Sequence, residues 1–159
     1  MSGRLRSIVL LLAVATLAFT ACSKDKTPST GGTNSPSGTT VAVIVQEYAV
    51  LPNPASAPAG SVTFNAQNKG PEHTHEFVVV KTALTPDKLP VKADGSVNED
   101  GAGMEAVGEL EDIAFNTSKT VTFTMAAGSY VLFCNVVETV GGQTLVHYKL
   151  GMRTAFTVT

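Results

Sequence analysis

Alternation of apolar and polar side chains is the dominant signal between residues 41 and 159. Val62, Phe64 and Ala66 alternate with Ser61, Thr63, Asn65 and Gln67, and Val121, Phe123 and Met125 alternate with Thr120, Thr122 and Thr124. A period of two puts every second side chain on one face, so each run predicts a half-buried strand. Residues 41–48, 77–81, 129–134 and 153–158 are rich in β-branched and aromatic side chains and predict further strands. Turn signals separate these runs: Pro58-Ala59-Gly60, Asn68-Lys69-Gly70-Pro71 and Ala127-Gly128. Many short strands punctuated in this way predict an all-β fold, an antiparallel Greek-key β-sandwich with one irregular excursion. The excursion is residues 83–116, where 86–89 predicts one helical turn, 94–103 a loop and 105–113 a strand.

The N-terminal end follows a different pattern. Arg4 and Arg6 precede an apolar run over residues 8–19, broken only by Thr16 and followed by Thr20-Ala21-Cys22. The run is shorter than the roughly 20 apolar residues of a membrane span and reads as an export signal. A small residue directly before a cysteine resembles the bacterial lipobox, with Phe19 where leucine is usual. That resemblance implies acylation of Cys22, which becomes the first residue of the mature protein. An ordinary secretory signal with an incidental Cys22 is the alternative. Residues 23–40 contain no large apolar side chain and cannot bury enough surface to offset chain entropy. The expected organisation is therefore a signal peptide (1–21), a Ser/Thr/Gly/Pro tether (22–40) and one folded domain (41–159). The expected location is extracytoplasmic, lipid-anchored to a bacterial membrane on its periplasmic or cell-surface side.

Composition narrows the function. With 159 residues the chain is too short for a large multi-domain enzyme. A formal charge of −2 provides no basic field for nucleic acid. Two cysteines cannot staple a domain of this size, so a packed apolar core must hold it. No serine-hydrolase elbow and no CxxC zinc motif is present. Glu109, Glu111 and Asp112 read as a solvated face rather than an acid–base pair.

If Cys22 is acylated, Cys134 has no partner within the chain, and a lone thiol in an oxidising compartment is a liability unless buried or bound. His147 follows Cys134 after twelve intervening residues, and Met152 follows after four more. Upstream, His75 directly precedes the apolar strand predicted at 77–81. One thiolate, two imidazoles and a thioether make up the ligand set of a blue-copper electron-transfer site. His73 has the same strand parity as His75 and is the alternative upstream donor. His75 is preferred because it abuts the strand, which leaves His73 as a solvated loop residue.

The segments AGSYVLFCN, HYKLGM and TAFTV, together with PAGSVTFNAQNKGPEHTHEFVVV upstream, resemble the cupredoxins, the plastocyanin and azurin superfamily. The resemblance covers nearly all of 41–159 and is most specific from Cys134 to Met152. It implies one copper ion per chain cycling between Cu(I) and Cu(II). His75, Cys134 and His147 would be the equatorial ligands and Met152 the axial one. It also implies that the imidazole of His147 reaches towards solvent. Leu145, Val146, Tyr148 and Leu150 would then form an apolar collar where redox partners dock briefly. The implied function is a monomeric single-electron carrier, not an enzyme, since three histidines are too few for a second copper centre. A copper chaperone, store or sensor is the alternative, as is a metal-free interaction module. Two departures from the family pattern stand out. The stretch from Cys134 to His147 is longer than in plastocyanin-like members, with an apparent insertion over 136–146 containing Gly141-Gly142. Glu76 follows His75 where many cupredoxins carry asparagine.

Overall fold

The computed structural model describes residues 38–159. The expected signal peptide, Cys22 and the tether up to residue 37 lie outside the described residues. The strands run in the order β1 (Thr39–Gln46), β2 (Ala49–Asn53), β3 (Ser56–Ala57), β4 (Gly60–Asn68), β5 (His75–Lys81) and β6 (Glu105–Ile113). They continue with β7 (Ser118–Met125), β8 (Gly128–Phe133), β9 (Val137–Val140), β10 (Gln143–Val146), the one-turn helix α1 (His147–Leu150) and β11 (Arg153–Val158). Among the described residues, one sheet has the order β2-β1-β4-β7 and a second has β3-β11-β8-β5-β6, while β9 and β10 pair only with each other.

The expected sandwich is present, with two refinements. The β1–β4 and β3–β11 pairings are parallel, so both sheets are mixed rather than purely antiparallel. Strand β1 begins at Thr39 and ends at Gln46, so the ordered ladder reaches into the predicted tether and stops short of Tyr48. Residues 86–89 form no helical turn. They carry a single turn in which the Lys88 amide donates to the Thr85 carbonyl at 2.9 Å.

Alternation explains the inner core. Val41, Val43 and Val45 of β1 and Val62, Phe64 and Ala66 of β4 are buried together with Phe77 and Val79 of β5, Leu132 of β8 and Phe156 of β11. Phe64 spans the two sheets, its ring centroid 5.2 Å from that of Phe77 and 5.4 Å from that of Phe156. Strands β5 and β8 break the alternation because both their faces are covered, which consecutive apolar residues permit. Val78, Val80, Val131 and Phe133 point outward under a second cluster containing Leu89, Val97 and Tyr148. The irregular excursion is thus the outer cover of the sheet that carries Cys134 at its end.

Phe64→Ala should cost about 3–5 kcal/mol, the usual penalty for removing a fully buried phenylalanine, measured by denaturant unfolding. A loss below about 1 kcal/mol would contradict the bridging role of this ring.

Candidate metal centre

Three segments deliver buried donors to one end of the sandwich. His75 opens β5, and the loop before it is set by Asn68. The Asn68 amide group donates to the carbonyls of His73 at 2.7 Å and Ile113 at 2.8 Å, while its oxygen accepts from the Gly70 amide at 2.9 Å. Cys134 follows the last residue of β8, and its amide donates to the Met152 carbonyl at 3.0 Å. That bond extends the β8–β11 ladder by one pair, so the side chains of Cys134 and Met152 leave the sheet on the same face. Both belong to the inner core. His147 starts α1. Its amide donates to Val136 at 3.0 Å and its carbonyl accepts from Met152 at 3.1 Å. Gly151 ends the helix with φ of +125°, and a Cβ there would lie 3.1 Å from the Tyr48 carbonyl. Glycine is therefore the residue that lets the chain turn from His147 back into β11.

The donor atoms form a small triangle. Nδ1 of His75 is 3.2 Å from Nδ1 of His147, and Sγ of Cys134 is 3.4 Å from the latter and 3.9 Å from the former. A point equidistant from three atoms at these separations lies about 2.0 Å from each, within the usual reach of nitrogen ligation and slightly inside that of thiolate. His75, Cys134, His147 and Met152 are all 0% exposed.

The outer edges of both imidazoles face carboxylates. Nε2 of His147 donates to Oε1 of Glu138 at 2.8 Å. Nε2 of His75 lies 3.5 Å from Oε1 of Glu47 without making a hydrogen bond. With Nε2 carrying the proton on each ring, two Nδ1 lone pairs confront each other beside a sulfur. Such an arrangement is unfavourable unless a cation or shared proton lies between them. A soft thiolate and two imidazoles fit a single copper ion in either oxidation state.

Electrostatics follow from burial. Desolvation pushes the Cys134 thiol up to about 12, against the opposing hydrogen bonds from the Glu76 and Val136 amides. The Glu76 amide reaches Sγ at 3.3 Å, beyond the last β5–β8 pair. Desolvation, helped by the neighbouring His147, lowers His75 to about 4. Desolvation also lowers His147, although Glu138 opposes it. Burial, reinforced by Glu109, Glu99, Glu111 and Asp112, raises Glu76 to about 7, so near neutrality its carboxyl is protonated in about half of the molecules.

Three expectations need correction. His147 does not reach solvent. The apparent insertion forms the β9–β10 hairpin, turned by Gly141 and Gly142 with φ of +56° and +81°, and its Glu138 caps the ring. The proposed collar is broken up as well. Tyr148 is buried, accepting from the Leu89 amide at 3.2 Å and donating to the Pro86 carbonyl at 2.6 Å, Leu145 and Val146 are half-buried, and Leu150 is exposed. His73 is not a solvated loop residue either. Its Nδ1 lies 2.7 Å from Oε1 of Glu138, and its amide donates to Oε1 of Glu47 at 2.7 Å. Sequence reasoning missed Glu47 and Glu138. Gly-Gly between two β-rich runs is a hairpin signature that could have located Glu138, whereas Glu47 left no signal.

No protein family and no curated protein matches the chain. Solved structures do match. Reduced auracyanin from the photosynthetic bacterium Roseiflexus castenholzii is 22% identical with a TM-score of 0.52, over 76% of this chain and 97% of that one. Auracyanin A, described as a blue copper protein of the green thermophilic photosynthetic bacterium Chloroflexus aurantiacus, is 23% identical with a TM-score of 0.50, over 77% of this chain and 99% of that one. The described domain has the cupredoxin fold.

At pH 7 the thiol is protonated and both ligand-edge histidines are neutral, so metal uptake should release one proton, from Cys134. Titration in weak buffer with an indicator measures this, and release of two or more protons would contradict it. In the metal-free protein, the unfolded chain protonates these imidazoles near 6.5 and the folded protein only further down, near 4 for His75. The histidines' contribution to stability is therefore intact above about pH 6.5 and is lost as pH falls towards 4, by up to about 1.4 kcal/mol per pH unit for each. Glu76, raised by the fold, contributes with the opposite sign, so the histidine contribution is read in a Glu76→Gln background. Thermal scans across that range check the sign.

Proposed function

We propose that this domain is a type 1 copper electron carrier, held outside the cytoplasm by acylation of Cys22. The observation that carries the reading is the convergence of two imidazole Nδ1 atoms and the Cys134 sulfur on one buried point. His75, Cys134 and His147 would hold the ion, with Met152 as the weak axial donor. Bound copper supplies one-electron chemistry, taking up an electron as Cu(II) and giving it up as Cu(I).

The chain's own residues do the rest. The backbone bonds Cys134 to Met152 and His147 to Val136 fix the donors on rigid ladders, so little movement accompanies a change of charge. Burial excludes water and leaves no open edge for a substrate, which suits outer-sphere electron passage. Handing the ion itself to another protein requires such an open edge. Burial of all three donors therefore favours a carrier over a chaperone. The similar blue copper protein supports the same reading. Redox partners would dock transiently, and a tether ahead of the sandwich would raise the local concentration of the domain at membrane-bound partners. No helix of the described residues is long and apolar enough to cross a membrane.

Copper(II)-loaded protein should be intensely blue from thiolate-to-copper charge transfer. Its melting temperature should rise, by mass action equivalent to about 2.7 kcal/mol at a hundredfold excess over Kd. Cys134→Ser should abolish the colour. A colourless copper complex, or a Cys134→Ser variant that keeps its colour, would overturn the assignment. Cys22→Ser should move the expressed protein from the membrane to the soluble fraction, and retention at the membrane would overturn the anchor.

A further inference from the structure

Beyond the donor triangle there is an outer ring of polar contacts. Oε1 of Glu138 sits 2.8 Å from Nε2 of His147 and 2.7 Å from Nδ1 of His73. The His73 amide in turn holds Oε1 of Glu47, the carboxylate facing Nε2 of His75. His73 thus joins the carboxylates behind the two donor histidines, one through its ring and one through its backbone. Its ring also packs edge-on against His147 at 5.7 Å between centroids.

We propose that Glu138 is a positioning residue, which locks His147 with its proton on Nε2 and Nδ1 turned inward and lowers the redox potential of the site, with His73 buttressing the carboxylate. The second half of this statement rests on the function proposed above, and the first half does not. A histidine whose outer nitrogen donates to a carboxylate has its tautomer and ring orientation fixed and becomes a stronger donor. His147 sits in α1, a single turn, and its ring gains its polar restraint from the hairpin. The carboxylate also places negative charge one imidazole away from the donor point. Negative charge there favours the more positive oxidation state of any ion held at Nδ1.

The same three side chains, His73, Glu138 and His147, could also gather a second ion. Simultaneous use of both His147 nitrogens as donors would require removing the Nε2 proton that now bonds Glu138. The His147–Glu138 separation of 2.8 Å is that of a charge-assisted hydrogen bond, which uses the nitrogen a second ion would need.

The test has a metal-free arm and a loaded arm. In the metal-free protein, nitrogen-15 NMR should show His147 as the Nε2–H tautomer with slow exchange of that proton. Glu138→Gln should preserve the tautomer, because the amide oxygen still accepts. Glu138→Ala should give a tautomer mixture and fast exchange. In the copper-loaded protein, Glu138→Gln should raise the potential. A tenfold change in the ratio of Cu(II) to Cu(I) affinity corresponds to about 59 mV for one electron. His73→Asn should shift the potential in the same direction by less. An unchanged tautomer in Glu138→Ala overturns the positioning role, whether or not copper binds. A potential unmoved in Glu138→Gln, with colour intact, overturns the tuning role while leaving the copper reading standing. Titration with copper should stop at one equivalent, and a second tight equivalent lost in Glu138→Gln would overturn the hydrogen-bonded assignment in favour of a second metal site.

Discussion

Two imidazole nitrogens and a sulfur buried within 3.9 Å of one another are the constraint on which the rest of this molecule depends. Packing donors face to face is costly in a low-dielectric interior. The cost is borne by the apolar stacking of the two sheets and by backbone ladders that leave the donors nowhere else to point. His75 is fixed by the opening residue of a strand buried on both faces, Cys134 by the end of the neighbouring strand, and His147 by a helix too short to stand alone. A positive ion at the common point turns mutual repulsion into attraction, which is why the arrangement reads as a metal centre.

The parts of this architecture that depend on local order were legible in the sequence. Strands such as Gly60–Asn68 and Ser118–Met125 announce themselves by alternation, because one face of each meets the core and the other meets water or a neighbour. The convergence of His75, Cys134 and His147 was legible because a lone thiol followed by an imidazole, with another imidazole at a strand edge, is chemically unusual. The surroundings of His147 were not legible. Glu138 lies nine residues before it and reaches it only because the Gly141-Gly142 turn folds β9 against β10. Glu47 comes from the turn after β1 and meets His73 across 26 residues of chain. Such contacts depend on tertiary proximity, which residue pattern does not encode, so His73 read as a surface residue when it is the link between two carboxylates.

The irregular excursion also gains a role in this picture. Asn135, next to Cys134, accepts from the Val97 amide at 2.6 Å and donates to the Val97 carbonyl at 3.1 Å and to Glu99 at 2.8 Å. Tyr148, next to His147, is pinned by Pro86 and Leu89. The segment that lacks regular structure thus holds the immediate neighbours of two donors, and its irregularity follows from matching its backbone to those side chains rather than to a ladder.

The β9–β10 hairpin has a kinetic consequence. An isolated pair of four-residue strands is marginally stable in water, so it opens locally far more often than the sandwich unfolds. Because Glu138 of this hairpin bonds the ring of His147, local opening of the hairpin would release that restraint without unfolding the sandwich. Restraint of the ring and overall thermodynamic stability thereby become separate properties, adjustable by different residues.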